Sequence, residues 1–311
     1  MTDARQVDIL CQDMSIEPGA EITRLPFRSG EPALIIDSQG REHVVHLRAG
    51  GTSHHGRTGL VHHDEIIGRP PGLRVYPDKG QPYLCLRPNL SEYILKRLRR
   101  RTQIIYPKDL GTLLIEGNIY PGARVLEAGI GSASAAITLL RFLSPGGELI
   151  SYETREEFAG HSQQTIEEFR EWYGTVSSQH SIRIQDAYQG IEESDLDAVL
   201  LDVPEPEKAA PFALESLRTN GTMLCWLPTA LQVYNLVRHL KNEPRWAQVK
   251  TTESLMRPWF VGPVSVRPSL TMVGHTGFLT TARRVELINP PAESCHQPDP
   301  DPGISGNGES G

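Results

Sequence analysis

The chain has 311 residues, 38% of them hydrophobic, with 38 acidic and 31 basic side chains and a formal net charge of −7, which allows a sizeable core and argues against a general nucleic-acid coat protein. No run reaches the roughly 18 apolar residues that cross a bilayer, and the opening "MTDARQVDILCQDMS" carries no apolar signal core. Cys11, Cys85, Cys225 and Cys295 form no C-x-x-C pair, which excludes a zinc ribbon or disulfide framework and points to a reducing, cytoplasmic setting.

Residues 1–16 read as a polar lead. Residues 17–90 alternate short β-like runs ("PALIIDS", "EHVVHL", "DEIIG", "PYLCL") with Gly and Pro turns, predicting a small β-barrel-like domain. The same stretch holds His54, His55, His62, His63 and Asp64. Adjacent histidines on a strand point to opposite faces, so no metal site is predicted. The run "LKRLRRRTQ", with Arg99, Arg100 and Arg101, is either a solvated helix face or a set of phosphate contacts.

Residues 91–289 change rhythm to alternating strand and helix patterns, the signature of a parallel α/β sheet. Five strands are predicted at "RVLEAG", "GELISYE", "SIRIQDA", "DAVLLDV" and "TMLCWLP". Helices fall at "SAAITLLRFL", "EEFAGHSQQTIEEFREWYG", "KAAPFALESLR" and "ALQVYNLVRHLKN". Two further strands, "AQVKTTES" and "GFLTTARRVEL", have no helix pattern between them, so one of the two is predicted to run antiparallel. Residues 290–311 carry Glu293, Asp299, Asp301 and Glu309 with no Lys or Arg, and read as a disordered acidic tail.

Three predicted strands close on acids: Glu153, Asp186 and Asp202. Ligands of an open α/β sheet sit outside the carboxyl ends of its strands. These acids, with Glu127 before the glycine turn, are expected to surround one crevice. The turn after the first strand, Gly129-Ile130-Gly131-Ser132-Ala133-Ser134, suits either a dinucleotide or S-adenosylmethionine. Glu127 beside a pyrophosphate would repel it, whereas a sulfonium would be tolerated, which favours S-adenosylmethionine. An acid at Glu153 can accept from ribose hydroxyls in either case. "DVPEPE" holds Asp202 before two prolines that stiffen the loop.

"RRTQIIYPKD", "VLEAGIGS", "SYETREEF", "AVLLDVPEP" and "MVGHTGFLTTARR", with "HHGRTGLVHHDEIIGRPPG" ahead of them, together resemble the tRNA adenine-N1 methyltransferases that modify the T-loop adenosine at position 58. The resemblance covers residues of about 17 to 285. It implies a seven-stranded class I methyltransferase (Rossmann-like) sheet, a small N-terminal β domain and a homotetramer. It also implies that Gly129, Gly131, Ser132, Ala133, Ser134, Glu153 and Asp186 bind the cofactor, that Asp202 is catalytic and holds the adenine amino group beside the cofactor, and that Gln103 and Tyr106 line the pocket entrance, on the cofactor and substrate sides. The charge argument adds Glu127 to the cofactor set, and the basic run adds Arg99, Arg100 and Arg101 as tRNA contacts. Three positions depart from the family pattern, which usually has Thr at Ile130, Gly at Ala133 and Trp at Glu207. They leave open a non-catalytic RNA-binding paralogue, and the glycine turn alone leaves open a nicotinamide-dependent enzyme.

Overall fold

The computed structural model describes residues 25–54, 59–174 and 176–287. The polar lead, the acidic tail and His55 lie outside the described residues. A first sheet joins β1 (Pro32–Ile36), β2 (Glu42–His46), β5 (Leu73–Val75) and β6 (Tyr83–Leu86) in the antiparallel order β2-β1-β6-β5, beside a hairpin of β3 (Thr52–His54) and β4 (Leu60–His62). Alternation does its usual work here, burying Ala33, Ile35, Val45, Val75, Tyr83 and Cys85 in one cluster. The run "DEIIG", expected as a strand, is instead a tight turn. A 3-10 helix spans His63–Glu65, and the buried ring of His63 accepts from Arg48 N at 3.0 Å. His63 Nδ1 therefore carries no proton, and its Nε2 faces Ser53 Oγ at 2.6 Å. Asp64 caps the neighbouring turn by accepting from Gly50 N. His63 thus holds this turn together.

Helix α1 (Leu90–Glu92), opened by a capping box on Asn89, runs into a π-helical turn over Tyr93–Arg97. Tyr93 packs there against Phe169 and Trp172 of α4 (Glu156–Tyr173). His46 of β2 meets the edge of Trp172 at 5.2 Å between ring centroids, and Lys96 pairs with Glu42 at 3.0 Å. The basic run is thus the linker between the two sheets, anchored by aromatic packing. Helix α2 (Pro107–Glu116), with proline at its first position, has no counterpart among the predicted helices. Proline there costs no helical hydrogen bond.

The large sheet contains β7 (Arg124–Ala128), β8 (Glu148–Glu153), β9 (Gln179–Ile184), β10 (Leu196–Leu201), β11 (Leu217–Leu227), β12 (Trp246–Thr252) and β15 (Phe278–Arg284), in the order β12-β15-β11-β10-β7-β8-β9. It is mixed: β15 runs antiparallel to both β11 and β12, and the other pairs are parallel. The expected reversal therefore lies in the last strand. Helices α3 (Ser134–Leu143), α5 (Pro206–Ser216) and α6 (Ala230–Leu240) join α2 and α4 around it. Val125 and Leu126 are both fully buried, on opposite faces of β7, as a strand covered on both sides requires. A short hairpin, β13 (Trp259–Val261) and β14 (Val266–Pro268), interrupts the path from β12 to β15 and escaped the sequence reading.

Candidate active site

Strand order reverses between β7 and β10, which opens a crevice at their carboxyl ends. The two ends are tied together. Asp202 N donates to Ala128 O at 2.9 Å, and Gly129 N donates to Tyr152 O at 2.9 Å. Gly129 adopts φ +93°, and a Cβ on it would strike the main-chain carbonyl of Asp202. Only a glycine leaves that approach open.

A cavity of ≈ 300 Å³ follows, lined by Gly129, Tyr152, Glu153, Asp186, Tyr188 and Asp202 among others. Glu153 is 4% exposed. Its Oε1 accepts from Thr154 N, Arg155 N and Arg155 Nε at 3.0–3.1 Å. Its Oε2 is buried with no hydrogen-bond partner. A buried acceptor left single is costly unless a ligand donates to it, and a pair of ribose hydroxyls has that chemistry. Asp186 Oδ1 accepts from Tyr188 N at 2.9 Å, and the Tyr188 hydroxyl accepts from Glu205 N at 2.9 Å. Tyr188 therefore fixes the proline loop that begins at Asp202. A nucleoside-bearing cofactor fits the donor and acceptor set of this cavity.

A second cavity, of ≈ 290 Å³, is lined by Gln103, Tyr106, Asp202, Trp226, His275 and Thr276 among others. Asp202 borders both cavities. Burial pushes its carboxyl up to about 7, because a charge leaving water loses solvation. The floor beside it is a closed network. Lys108 Nζ donates to Asp109 Oδ1, Ser254 O and Thr276 Oγ1, each at 2.7 Å. Thr276 Oγ1 in turn donates to Asp109 Oδ2. His275 contacts Glu253 Oε1 at 2.7 Å through Nδ1 and Pro228 O at 2.9 Å through Nε2. Both partners are acceptors, so both nitrogens must donate. The backbone contact at Pro228, then the one to Glu253, raises its pKa above the usual histidine value. His275 clamps the loops of Glu253 and Pro228 together.

Several expected site residues stand elsewhere. Glu127 is not on the rim: its carboxylate is 1% exposed and lines neither cavity. Burial pushes it up to about 8, against the lowering effect of a hydrogen bond from Ser151, so the simple picture of a standing negative charge there needs revision. Of the glycine turn, only Gly129 lines the cofactor-sized cavity. Gly131 and Ser132 face a separate small cleft with Arg97, Arg99 and Arg101. Ser132 Oγ accepts from Arg101 N and Thr102 N, both at 3.0 Å, so its work is to hold the basic linker on the turn. Ser134 is 5% exposed at the start of α3, its carbonyl bonded by Thr138.

Ala133 sits at φ +63° as the residue capping α3. That left-handed conformation is why glycine suits the position, and an alanine there carries a modest strain. Ile130 is 4% exposed in the core, and Glu207 stands in the first turn of α5, where an acid suits the helix dipole. None of the three fills a cavity. Arg99, Arg100 and Arg101 lie on the linker. Arg101 pairs with Glu157 at 2.9 Å, and Arg100 rests over the Tyr106 ring at 5.8 Å.

The sequence reading missed Tyr188, Trp226, Lys108 and Thr276. Thr276 lies within a quoted motif, beside His275. Trp226 lies inside an apolar strand and reads as core, since nothing local marks it as the wall of a cavity.

A family model described as tRNA methyltransferase complex GCD14 subunit matches residues 85–266, and one described as TrmI-like N-terminal matches residues 26–75. Over 253 residues the chain is 32% identical to the tRNA (adenine(58)-N(1))-methyltransferase TrmI of Thermus thermophilus, covering 81% of this chain and 96% of that protein. Over 274 residues it is 28% identical to the tRNA (adenine(57)-N(1)/adenine(58)-N(1))-methyltransferase TrmI of Methanocaldococcus jannaschii, covering 80% and 94%. The solved tRNA (m1A58) methyltransferase of Aquifex aeolicus superposes with a TM-score of 0.72 at 28% identity, over 84% of this chain and 100% of that one. A Thermotoga maritima structure described as an S-adenosylmethionine-dependent O-methyltransferase superposes with a TM-score of 0.77 at 28% identity, over 85% and 96%.

Proposed function

The chain belongs to the tRNA (adenine-N1)-methyltransferase family, and on that premise we propose that it methylates N1 of a tRNA T-loop adenosine, position 58, with S-adenosylmethionine as donor. One observation carries the assignment of roles. Asp202 is shared by a cavity suited to a nucleoside cofactor and a cavity walled by Tyr106 and Trp226, so a donor and a planar acceptor would meet at its carboxylate.

S-adenosylmethionine, when bound, supplies an electrophilic methyl. The chain's own residues do the rest. Glu153 Oε2, buried without a partner, would accept from a ribose hydroxyl of the donor, and Gly129 would leave room for it beside the main chain. Asp202 accepts a hydrogen bond from the exocyclic amine of adenine. N1 has a free lone pair, so no base is required to start the reaction. Positive charge grows on the ring as the methyl arrives, and the Asp202 carboxylate holds that state more strongly than the ground state. Tyr106 and Trp226 flank a base that has left its tertiary pairing, since N1 lies on the pairing edge.

Arg99, Arg100 and Arg101 provide phosphate contacts on the linker beside this opening. The residues between β12 and β15 support a second part of the proposal, a homotetramer. Trp259, Phe260, Val261, Val264 and Leu270 are 50–98% exposed there, and so many large apolar side chains exposed on one short segment suit a contact between chains. Light scattering on the purified chain tests it, and a monomer would count against it. A cytoplasmic location fits a tRNA substrate, and no metal is required by the reaction.

The test of function is incubation with unmodified tRNA and methyl-labelled donor, followed by mapping of reverse-transcription stops. A stop opposite the T-loop adenosine supports the reading. Label without any stop would mean that methyl reaches a different atom. No label at all would favour the non-catalytic paralogue.

A further inference from the structure

Glu127 lies one residue from the end of β7, opposite Ser151 on β8. Ser151 Oγ is 2.6 Å from Glu127 Oε1 and 2.9 Å from His180 Nε2. His180 stands on β9, the edge strand, and is partly exposed. Three groups on three neighbouring strands therefore form one hydrogen-bonded line, from beneath the β7–β10 crevice to the margin of the sheet.

A hydroxyl has one proton, so the line has two polarities. With Glu127 ionised, Ser151 donates to the carboxylate and accepts from His180 Nε2–H. With Glu127 protonated, the carboxyl donates to Ser151 Oγ, Ser151 donates to Nε2, and the ring proton sits on Nδ1. Both patterns satisfy every buried atom of the line, which makes passage between them cheap. The charged side chains acting on it are Asp202, on Glu127 from the end of β10, and Arg170, on His180 from α4. Burial pushes Glu127 up to about 8 and His180 down to about 4. Near neutral pH the carboxyl keeps its proton and the imidazole is uncharged.

We infer that Glu127, Ser151 and His180 form a buried proton relay that couples the charge of the molecule in the cofactor cavity to loss of a proton, so that the chain distinguishes a sulfonium donor from the neutral thioether it leaves behind. The inference rests on the S-adenosylmethionine reading of that cavity. A cation in the cavity favours the Glu127 carboxylate. Its proton then passes to Ser151 Oγ, the Ser151 proton passes to His180 Nε2, and the Nδ1 proton leaves to solvent. The net change is one proton from carboxyl to water. The thioether carries no charge and does not drive this step, so it is held less tightly as pH rises relative to the donor.

Calorimetry on the full chain tests this, in two buffers of different ionisation enthalpy, with S-adenosylmethionine and with S-adenosylhomocysteine. At about pH 7.5, the donor should release up to about one proton more from the wild-type chain than from Glu127→Gln. Because Asp202 acts on Glu127, the same pair is compared in an Asp202→Asn background, where the difference should persist. S-adenosylhomocysteine should show no such difference. Donor affinity should fall about tenfold in Glu127→Gln, with thioether affinity little changed, because a buried carboxylate beneath the crevice acts on the cation alone. Should Glu127→Gln fail to fold, Ser151→Ala serves. Removing the donor to the carboxylate should move the pH at which donor affinity rises upward by about one unit. Equal proton counts in wild type and Glu127→Gln, or an unmoved profile in Ser151→Ala, would overturn the relay while leaving the cofactor reading intact. Failure of both ligands to bind at any pH would remove the cofactor reading itself.

Discussion

The main-chain carbonyl of Asp202 occupies the space that a side chain on Gly129 would need. The residue that ends one strand and the residue that turns away from its neighbour are thus in direct van der Waals contact, and the two carboxyl ends are locked in register. Gly129→Ala would combine a left-handed φ with a backbone clash. It should lower stability by about 2–4 kcal/mol, read as a shift in the urea midpoint. Cofactor binding should be lost in the fraction that folds. Unchanged stability and affinity would mean the β7–β10 junction is far softer than its hydrogen bonds imply.

Asp202 is the most direct test of mechanism. Asp202→Ala should cut single-turnover methylation by about 10²–10³-fold, the usual loss when a group stabilising transition-state charge is removed. Cofactor affinity should change much less. Asp202→Asn keeps an acceptor oxygen without the charge. Because burial pushes Asp202 up to about 7, wild-type turnover should rise with pH through about 7 as the carboxylate forms. The same limb should be absent in the asparagine variant.

Raised acids also reshape stability. Folded Glu127 and Asp202 hold their protons to higher pH than they would in the unfolded chain. Their burial therefore destabilises the fold increasingly as pH climbs from the unfolded carboxyl range through about 7 and 8. Thermal melts should show the wild type losing more stability between about pH 6 and pH 9 than Asp202→Asn does. Parallel curves for the two proteins would contradict the assigned ionisations.

His275 has the opposite sign. Its folded pKa lies above the usual histidine value, so its contribution is fully present below the unfolded pKa and fades as pH rises through the folded one. His275→Gln should lower the melting temperature more at pH near 6 than at pH near 8.5. His275 and its partner Pro228 both line the second cavity, so the same variant should raise KM for tRNA. An effect independent of pH would mean the ring acts by packing alone.

For the basic linker, charge is tested by salt. Arg99→Ala and Arg100→Ala together should weaken tRNA binding and flatten the log–log dependence on salt by about one to two, one increment for each phosphate left without its cation. Ser132→Ala is the informative companion, because it releases the linker without removing a cation. Its binding should weaken while the salt slope stays as in wild type.

Strand and helix identities in the large sheet were legible because burial on two faces and the 3.6-residue period are local properties. "RVLEAG" and "SAAITLLRFL" could hardly be anything but a covered strand and a covered helix. The carboxylates Glu153, Asp186 and Asp202 were legible for a related reason: an acid that closes an apolar run at a sheet's carboxyl edge has few places to point. Glu127 shows the limit. In the register of the sheet it stands two residues short of the level of Glu153 and Asp202, on the same face but within the covered part of the strand, and depth along the strand is set by tertiary packing that no local pattern encodes.

What the chain's order of residues determined by itself was the sheet, its turn chemistry and the acids at its edge, since each depends on neighbours within a few positions. Only the folded arrangement decided that Asp202 is common to two cavities, that Trp226 walls one of them, that Lys108 meets Thr276, and that Ser132 serves the linker. The hydrogen bonds behind the last two join residues 168 and 30 positions apart. Side chains that converge on a crevice are chosen by strand order, which no local pattern encodes.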